Sequence, residues 1–174
     1  MKRTHRFVSA LLITIVATSV AGCDDKTLTS IATSNTQALG GNFLDKGTTS
    51  KECWGGSRNH WGVMYPENHS LNPIKNGRPT VCVSAGLSRD DSQHGTVAIH
   101  EMGHLYLYRL GQVGKVGASL YTDESLTDCF AEAKGGEPAG IHYGCSASKR
   151  STIQSLLKAY PTENISSWCG ARCN

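Results

Sequence analysis

The sequence His100-Glu101-Met102-Gly103-His104 places two imidazoles four residues apart with a carboxylate directly after the first. On a helix, residues four apart lie on one face about one turn from each other. The two rings can therefore converge on one metal ion, while Glu101, about 100° further round, reaches a water on that ion. Two neutral ring nitrogens and one further carboxylate oxygen make a tetrahedral site with a position left for water, which is the donor set expected for zinc. In a chain of this composition three specified positions match by chance roughly one time in a hundred, and a match inside a helical pattern is rarer still.

The third ligand can be sought by spacing. The extended metzincin motif needs Gly three residues and His six residues after the second His, and those positions hold Leu107 and Leu110. A Glu from a following helix is the other scheme. Glu124 lies twenty residues after His104 in Glu124-Ser125-Leu126-Thr127-Asp128, and Asp128 shares its face. A carboxylate at Asp128 can accept the second ring N–H of a ligand histidine, which fixes the tautomer and raises its basicity.

With these residues the sequence resembles the gluzincin metallopeptidases, in which His-Glu-x-x-His is followed by a helix carrying Glu-x-x-x-Asp. Glu124-x-x-x-Asp128-Cys129-Phe130-Ala131 is further similar to a run in the neutral zinc metallopeptidases, with Thr127 standing where Ala is usual. The resemblance spans about residues 96–136. It implies a zincin-like fold, Zn2+ held by His100, His104 and Glu124, and hydrolysis of peptide bonds with Glu101 moving the proton. Many such enzymes use a Tyr or His to stabilise the oxyanion, and His142, Tyr143 and Tyr121 are the candidates.

These residues need elements to position them. Val97, Ala98, Ile99, Met102, Leu105, Leu107 and Leu110 recur at helical spacing, so a helix is predicted over 92–110, capped by Asp90, Asp91 or Ser92 and ended by Gly111. A second helix is predicted from Thr122 or Asp123 to Gly135-Gly136, and a third over 148–160, where Ile153, Leu156, Leu157 and Tyr160 form a core stripe before Pro161. Residues 60–65 and 80–84 have strand composition with turn signals between them and are expected to pair antiparallel; 80–84 could also take up an extended substrate by strand addition. Gly103 costs about 1 kcal/mol in a helix interior relative to Ala, which suggests close backbone approach beneath the metal. His60, His69 and His94 read as surface or loop residues.

The N-terminal region reads differently. Lys2, Arg3 and Arg6, the apolar stretch from Phe7 to Val20, and small Ala21 and Gly22 before Cys23 read as a lipoprotein leader, 1–22, with Cys23 as the lipid attachment site. Residues 23–42, rich in Thr, Ser, Asn and Gln, read as a flexible tether, and 43–174 as the zincin-like metallopeptidase domain. The chain of 174 residues carries 17 Lys plus Arg against 14 Asp plus Glu. The leader holds three of those bases, so the mature protein is neutral and lacks the excess cation that phosphate-backbone binding needs. Apart from Cys23 there are six cysteines and no Cys-x-x-Cys spacing, which in an exported chain argues for disulfides. Among the fifteen connectivities, Cys53 with Cys82, Cys129 with Cys145 and Cys169 with Cys173 is the expected set.

The sequence thus leads to an α+β domain: a short antiparallel sheet on a metal-binding helix, with a third-ligand helix and a C-terminal helix. The expected function is a membrane-anchored zinc metallopeptidase of the bacterial cell envelope, acting on protein or peptide substrates in the periplasm or at the cell surface. The alternative is a non-catalytic envelope lipoprotein that binds a partner protein. Hydrolysis of peptidoglycan crosslinks is a third reading to which no residue specifically points.

Overall fold

The computed structural model describes residues 25–45, 61–83, 93–137 and 143–173. Within them the architecture is α+β, five α-helices and a three-stranded mixed sheet. In chain order these are α1 (Asp25–Ala38), β1 (Asn42–Asp45), β2 (Gly62–Tyr65), β3 (Thr80–Val83), α2 (His94–Gln112), α3 (Glu124–Ala133), α4 (Ala147–Ala159) and α5 (Ser166–Cys169). Single 3-10 turns lie at Leu120–Thr122, Thr162–Asn164 and Gly170–Cys173. None of the described helices is long and apolar enough to cross a membrane. The leader and Cys23 lie outside the described residues.

Helix α2 is the axis of the molecule. Val97, Ala98, Ile99, Met102, Leu105, Tyr106, Leu107 and Leu110 are all buried, so the helix is covered on nearly every side. A helix apolar all round requires partners all round. The sheet, α1 and α3 supply them. Residues 90–92, the expected caps, lie outside the described residues. The helix runs past Gly111 to Gln112, where the amide of Val113 still bonds to Arg109 O.

Two expectations are corrected. Residues 25–38 do not form a tether: α1 packs on α2, burying Leu28, Ala32, Thr36 and Leu39. Their spacing of i, i+4, i+8 and i+11 is a helical stripe that the surrounding Thr, Ser, Asn and Gln conceal. The sheet is also not purely antiparallel. β2 pairs antiparallel with β3, as expected, but β1 joins the other side of β3 in parallel, in the order β1-β3-β2. Strand β3 is therefore central, with neighbours on both edges, and cannot accept an additional strand. Among the described residues the outer strands are β1 and β2.

Helices α3 and α4 occur where periodicity places them. The side chain of Asp123 accepts from Leu126 N at the start of α3, and Ser146 accepts from Lys149 N at the start of α4. Ile153 is buried, with Leu156, Leu157 and Tyr160 packed against the core. Disulfides join Cys129 to Cys145 and Cys169 to Cys173, as expected. Cys82 is also disulfide-bonded; its expected partner, Cys53, lies outside the described residues.

Candidate metal centre

Helix α2 brings the first two residues of the site together because four residues make just over one turn. Nε2 of His100 and Nε2 of His104 are 3.1 Å apart. Helix α3 lies across this face, and its first residue, Glu124, directs Oε2 to 3.0 Å from the His100 nitrogen and 3.3 Å from the His104 nitrogen. Donor atoms of a tetrahedral zinc site with bonds of about 2.0–2.1 Å are separated by roughly 3.3 Å. The spacing of the two nitrogens and one oxygen is therefore close to that of three donors of such a site. His100, Glu101 and His104 also form a group whose candidate ligand atoms all lie within 4.8 Å of one another. Glu101 Oε2 stands 4.0 Å from His104 Nε2, beside the triangle rather than in it. Glu124 is 43 % exposed while Glu101 and both histidines are largely buried, so water reaches the centre from one side.

Each imidazole is oriented through its other nitrogen. His100 Nδ1 bonds to Asp128 Oδ1 at 2.8 Å, the pairing expected from the Glu124–Asp128 spacing. His104 Nδ1 bonds to the main-chain oxygen of Tyr121 at 2.5 Å. Sequence reasoning missed this second partner, since a carbonyl carries no side-chain signature. It also weighed Tyr121 as an oxyanion donor, whereas the Tyr121 ring packs edge-on against Tyr108 at 5.2 Å. Thr127, where the resembling family has Ala, donates its hydroxyl to Glu124 O at 2.7 Å and lies 3.1 Å from His100 Nε2. It thereby links the backbone of Glu124 to His100.

Electrostatics agree with cation binding. Burial opposes charge on His100, but its hydrogen bonds to Asp128 and Glu124, with the charges of Glu101 and Asp128, outweigh burial and push its pKa up to about 10. His104 is also raised: burial opposes charge there too, and the hydrogen bond to Glu124 and the charge of Glu101 prevail. Glu124, held by hydrogen bonds from both rings, sits well below the usual carboxylate range. A pocket of carboxylates that draws protons onto two imidazoles is one that a metal ion would occupy in their place.

Two glycines let the elements close on this centre. A Cβ on Gly103 would stand 3.1–3.3 Å from the ring and Cβ of Phe130, so the helix-interior glycine admits α3, the close approach expected from the sequence. A Cβ on Gly62 would lie 2.3 Å from Cγ, 2.5 Å from Oε1 and 2.7 Å from Cδ of Glu101. Strand β2 thus covers the Glu101 carboxylate with bare backbone. Gly62 was not singled out in the sequence, where a glycine at a strand start reads only as a boundary.

Tyr143 is 62 % exposed, and its hydroxyl pKa is raised by the charge of Glu124, then by burial and by Asp128 and Glu101. His142 lies outside the described residues, as does His60. His69 is exposed, as expected, but His94 is not a surface residue. It is 3 % exposed, with Nε2 3.1 Å from Asp45 Oδ1 and Nδ1 3.4 Å from Thr29 Oγ1, joining α2 to β1 and α1. The chain matches no family model, no curated protein and no solved structure.

Proposed function

We propose that this chain is a zinc metallopeptidase of the gluzincin type, exported and lipid-anchored through Cys23, acting on protein or peptide substrates in the bacterial cell envelope. The observation that carries the reading is the convergence of His100 Nε2, His104 Nε2 and Glu124 Oε2 within 3.0–3.3 Å of one another, with the Glu101 carboxylate alongside. His100, His104 and Glu124 would hold the ion, and Asp128 and Tyr121 O would fix the two rings. When bound, zinc supplies Lewis-acid polarisation of the scissile carbonyl and lowers the pKa of water.

The remaining steps belong to the protein. Glu101 accepts a proton from the attacking water on a carboxylate oxygen as the new C–O bond forms. It returns that proton to the amine nitrogen as the C–N bond breaks. Its burial under β2 keeps this carboxylate in one place and away from bulk water. Of the oxyanion candidates, Tyr143 is exposed and its hydroxyl pKa responds to the charge of Glu124, which supports it as the group that would donate a hydroxyl hydrogen to the developing oxyanion.

Purified protein is expected to hold about one zinc per chain and to cleave an unfolded protein such as reduced casein. Glu101→Gln should abolish cleavage and retain the metal. Cleavage surviving that change rejects the mechanism. Stoichiometric zinc without hydrolysis of any peptide or muropeptide favours the non-catalytic, partner-binding alternative.

A further inference from the structure

Asp128 does more than touch His100. Its Oδ1 meets His100 Nδ1 at 2.8 Å, while Oδ2 accepts two successive main-chain amides, Tyr143 N and Gly144 N, each at 2.8 Å. The carboxylate is 1 % exposed. Gly144 has φ +77, the left-handed conformation that turns two consecutive N–H groups toward one acceptor. A buried carboxylate served in this way keeps one orientation, and so does the imidazole it holds.

The residues immediately following these partners are the ones covalently joined. Cys129 follows Asp128 and Cys145 follows Gly144, and their disulfide brings the two backbones to a Cα–Cα separation of 4.8 Å. Tyr143 and Gly144 are exposed, and among the described residues the noncovalent ties beside them are few. Arg150 Nη2 donates to Cys145 O at 3.4 Å, and Ser146 caps α4. The bond is placed where it presses the amide pair onto Asp128.

We infer that the Cys129–Cys145 disulfide positions the Tyr143–Gly144 amides on Asp128 and thereby sets the affinity of the metal centre, making zinc retention dependent on the redox state of this cystine. The inference rests on the metal-binding part of the proposed function and is independent of peptide hydrolysis. The chain is then a metalloprotein whose centre tightens only after oxidation, which suits a protein that folds in an oxidising compartment.

Competition against a chromophoric zinc chelator tests it. Loss of a partner behind a ligand histidine typically lowers metal affinity about 10- to 100-fold. Cys129→Ser with Cys145→Ser should weaken zinc binding by at least about tenfold, Asp128→Asn should do so comparably, and the triple variant should be no weaker than Asp128→Asn alone. A cystine acting only as a stability brace gives a different pattern, with unchanged zinc affinity in the double variant or losses that multiply in the triple. Either result overturns the inference and leaves the metal reading intact, whereas wild-type protein that binds no zinc sinks both. If the serine variant does not fold, Tyr143→Pro removes one amide donor with the disulfide intact and should weaken zinc binding, while Tyr143→Phe, which keeps the amide, should not. Equal affinities for those two variants likewise overturn it.

Discussion

Gly62→Ala is the substitution whose effect follows most directly from the geometry of the site. The added methyl would begin 2.3–2.7 Å from the Cγ, Cδ and Oε1 atoms of Glu101, whereas carbon atoms settle at about 3.5–4.0 Å. One partner must therefore move by about 1 Å. Strand β2 is paired to β3 along its length, and Glu101 is the far end of a flexible side chain, so the carboxylate yields. A displacement of about 1 Å from productive geometry can cost on the order of 100-fold in rate. Stability gains roughly 0.5–1 kcal/mol of backbone entropy from replacing a strand glycine and loses about 1–3 kcal/mol to crowding of the buried Glu101, so it should fall modestly. The assay pairs kcat and KM on a fluorogenic peptide with zinc content and urea unfolding. The expected outcome is a kcat down about 100-fold, zinc unchanged and an unfolding midpoint lowered only modestly. In the Glu101→Gln background the same change should add nothing, because both act through one carboxylate. A variant that keeps a third or more of wild-type kcat, or that loses zinc instead, refutes the proposal that β2 holds Glu101 in place as the general base.

Other perturbations probe different parts of the structure. Because His100 in the metal-free protein is pushed up to about 10 and His104 is raised as well, zinc must displace at least one proton; its affinity should rise at least about tenfold per pH unit between roughly pH 6 and 9, and calorimetry in buffers of different ionisation enthalpy should show at least one proton released. Gly103→Ala gains about 1 kcal/mol of helix propensity but crowds the fully buried Phe130 at 3.1 Å, an overpacking cost of about 1–3 kcal/mol, so urea denaturation should show net destabilisation. Glu67 accepts from Arg109 Nη1 at 2.7 Å, from Gln112 and from the Tyr108 hydroxyl. Burial raises its pKa, but the hydrogen bonds from Tyr108, its own backbone amide and Gln112, with the Arg109 charge, lower it more. Glu67→Ala leaves the buried Arg109 uncompensated and should cost about 3 kcal/mol near neutral pH. A depressed carboxyl pKa contributes stability above the unfolded value of 4.5 and loses it as pH falls through the folded value. The gap between wild type and variant, followed by urea unfolding, should therefore shrink below about pH 4.5.

What could be read from the sequence was what is local. His100, Glu101 and His104 sit on one turn, and Asp123, Glu124 and Asp128 on the opening turns of the next long helix, so helical periodicity alone orders them. The contacts that went unread reach across the chain. Gly62 acts on Glu101 from 39 residues away, and its role appears only when β2 is laid against α2. The amides of Tyr143 and Gly144 and the carbonyl of Tyr121 are main-chain groups that every residue carries, so no residue type marks them. Helix α1 escaped for another reason: its buried positions include Ala32 and Thr36, small or polar residues that become core only because α2 presents a complementary apolar face. The parallel pairing of β1 left no pattern either, since four residues of strand composition are compatible with either direction.

The centre depends on the position of α3 more than on any single ligand. Glu124, Thr127 and Asp128 all come from the opening turns of that helix and all address His100. A sliding of α3 along α2 would withdraw the proposed anionic ligand, a tether and an imidazole partner together. Three constraints oppose such sliding. Phe130 beds against Gly103. Asp123, whose carboxylate caps the helix, is gripped by Lys149 of α4 at 2.7 and 2.9 Å. Cys129 is bonded to Cys145. His104, by contrast, takes its orientation from Tyr121 O, just ahead of α3. One histidine is thus locked to the helix and the other to the turn leading into it, so a shift of α3 relative to that turn would change the angle between the two rings. The contacts that fix α3 are therefore contacts that would set the geometry of the proposed metal, although none of them lies among the proposed ligands.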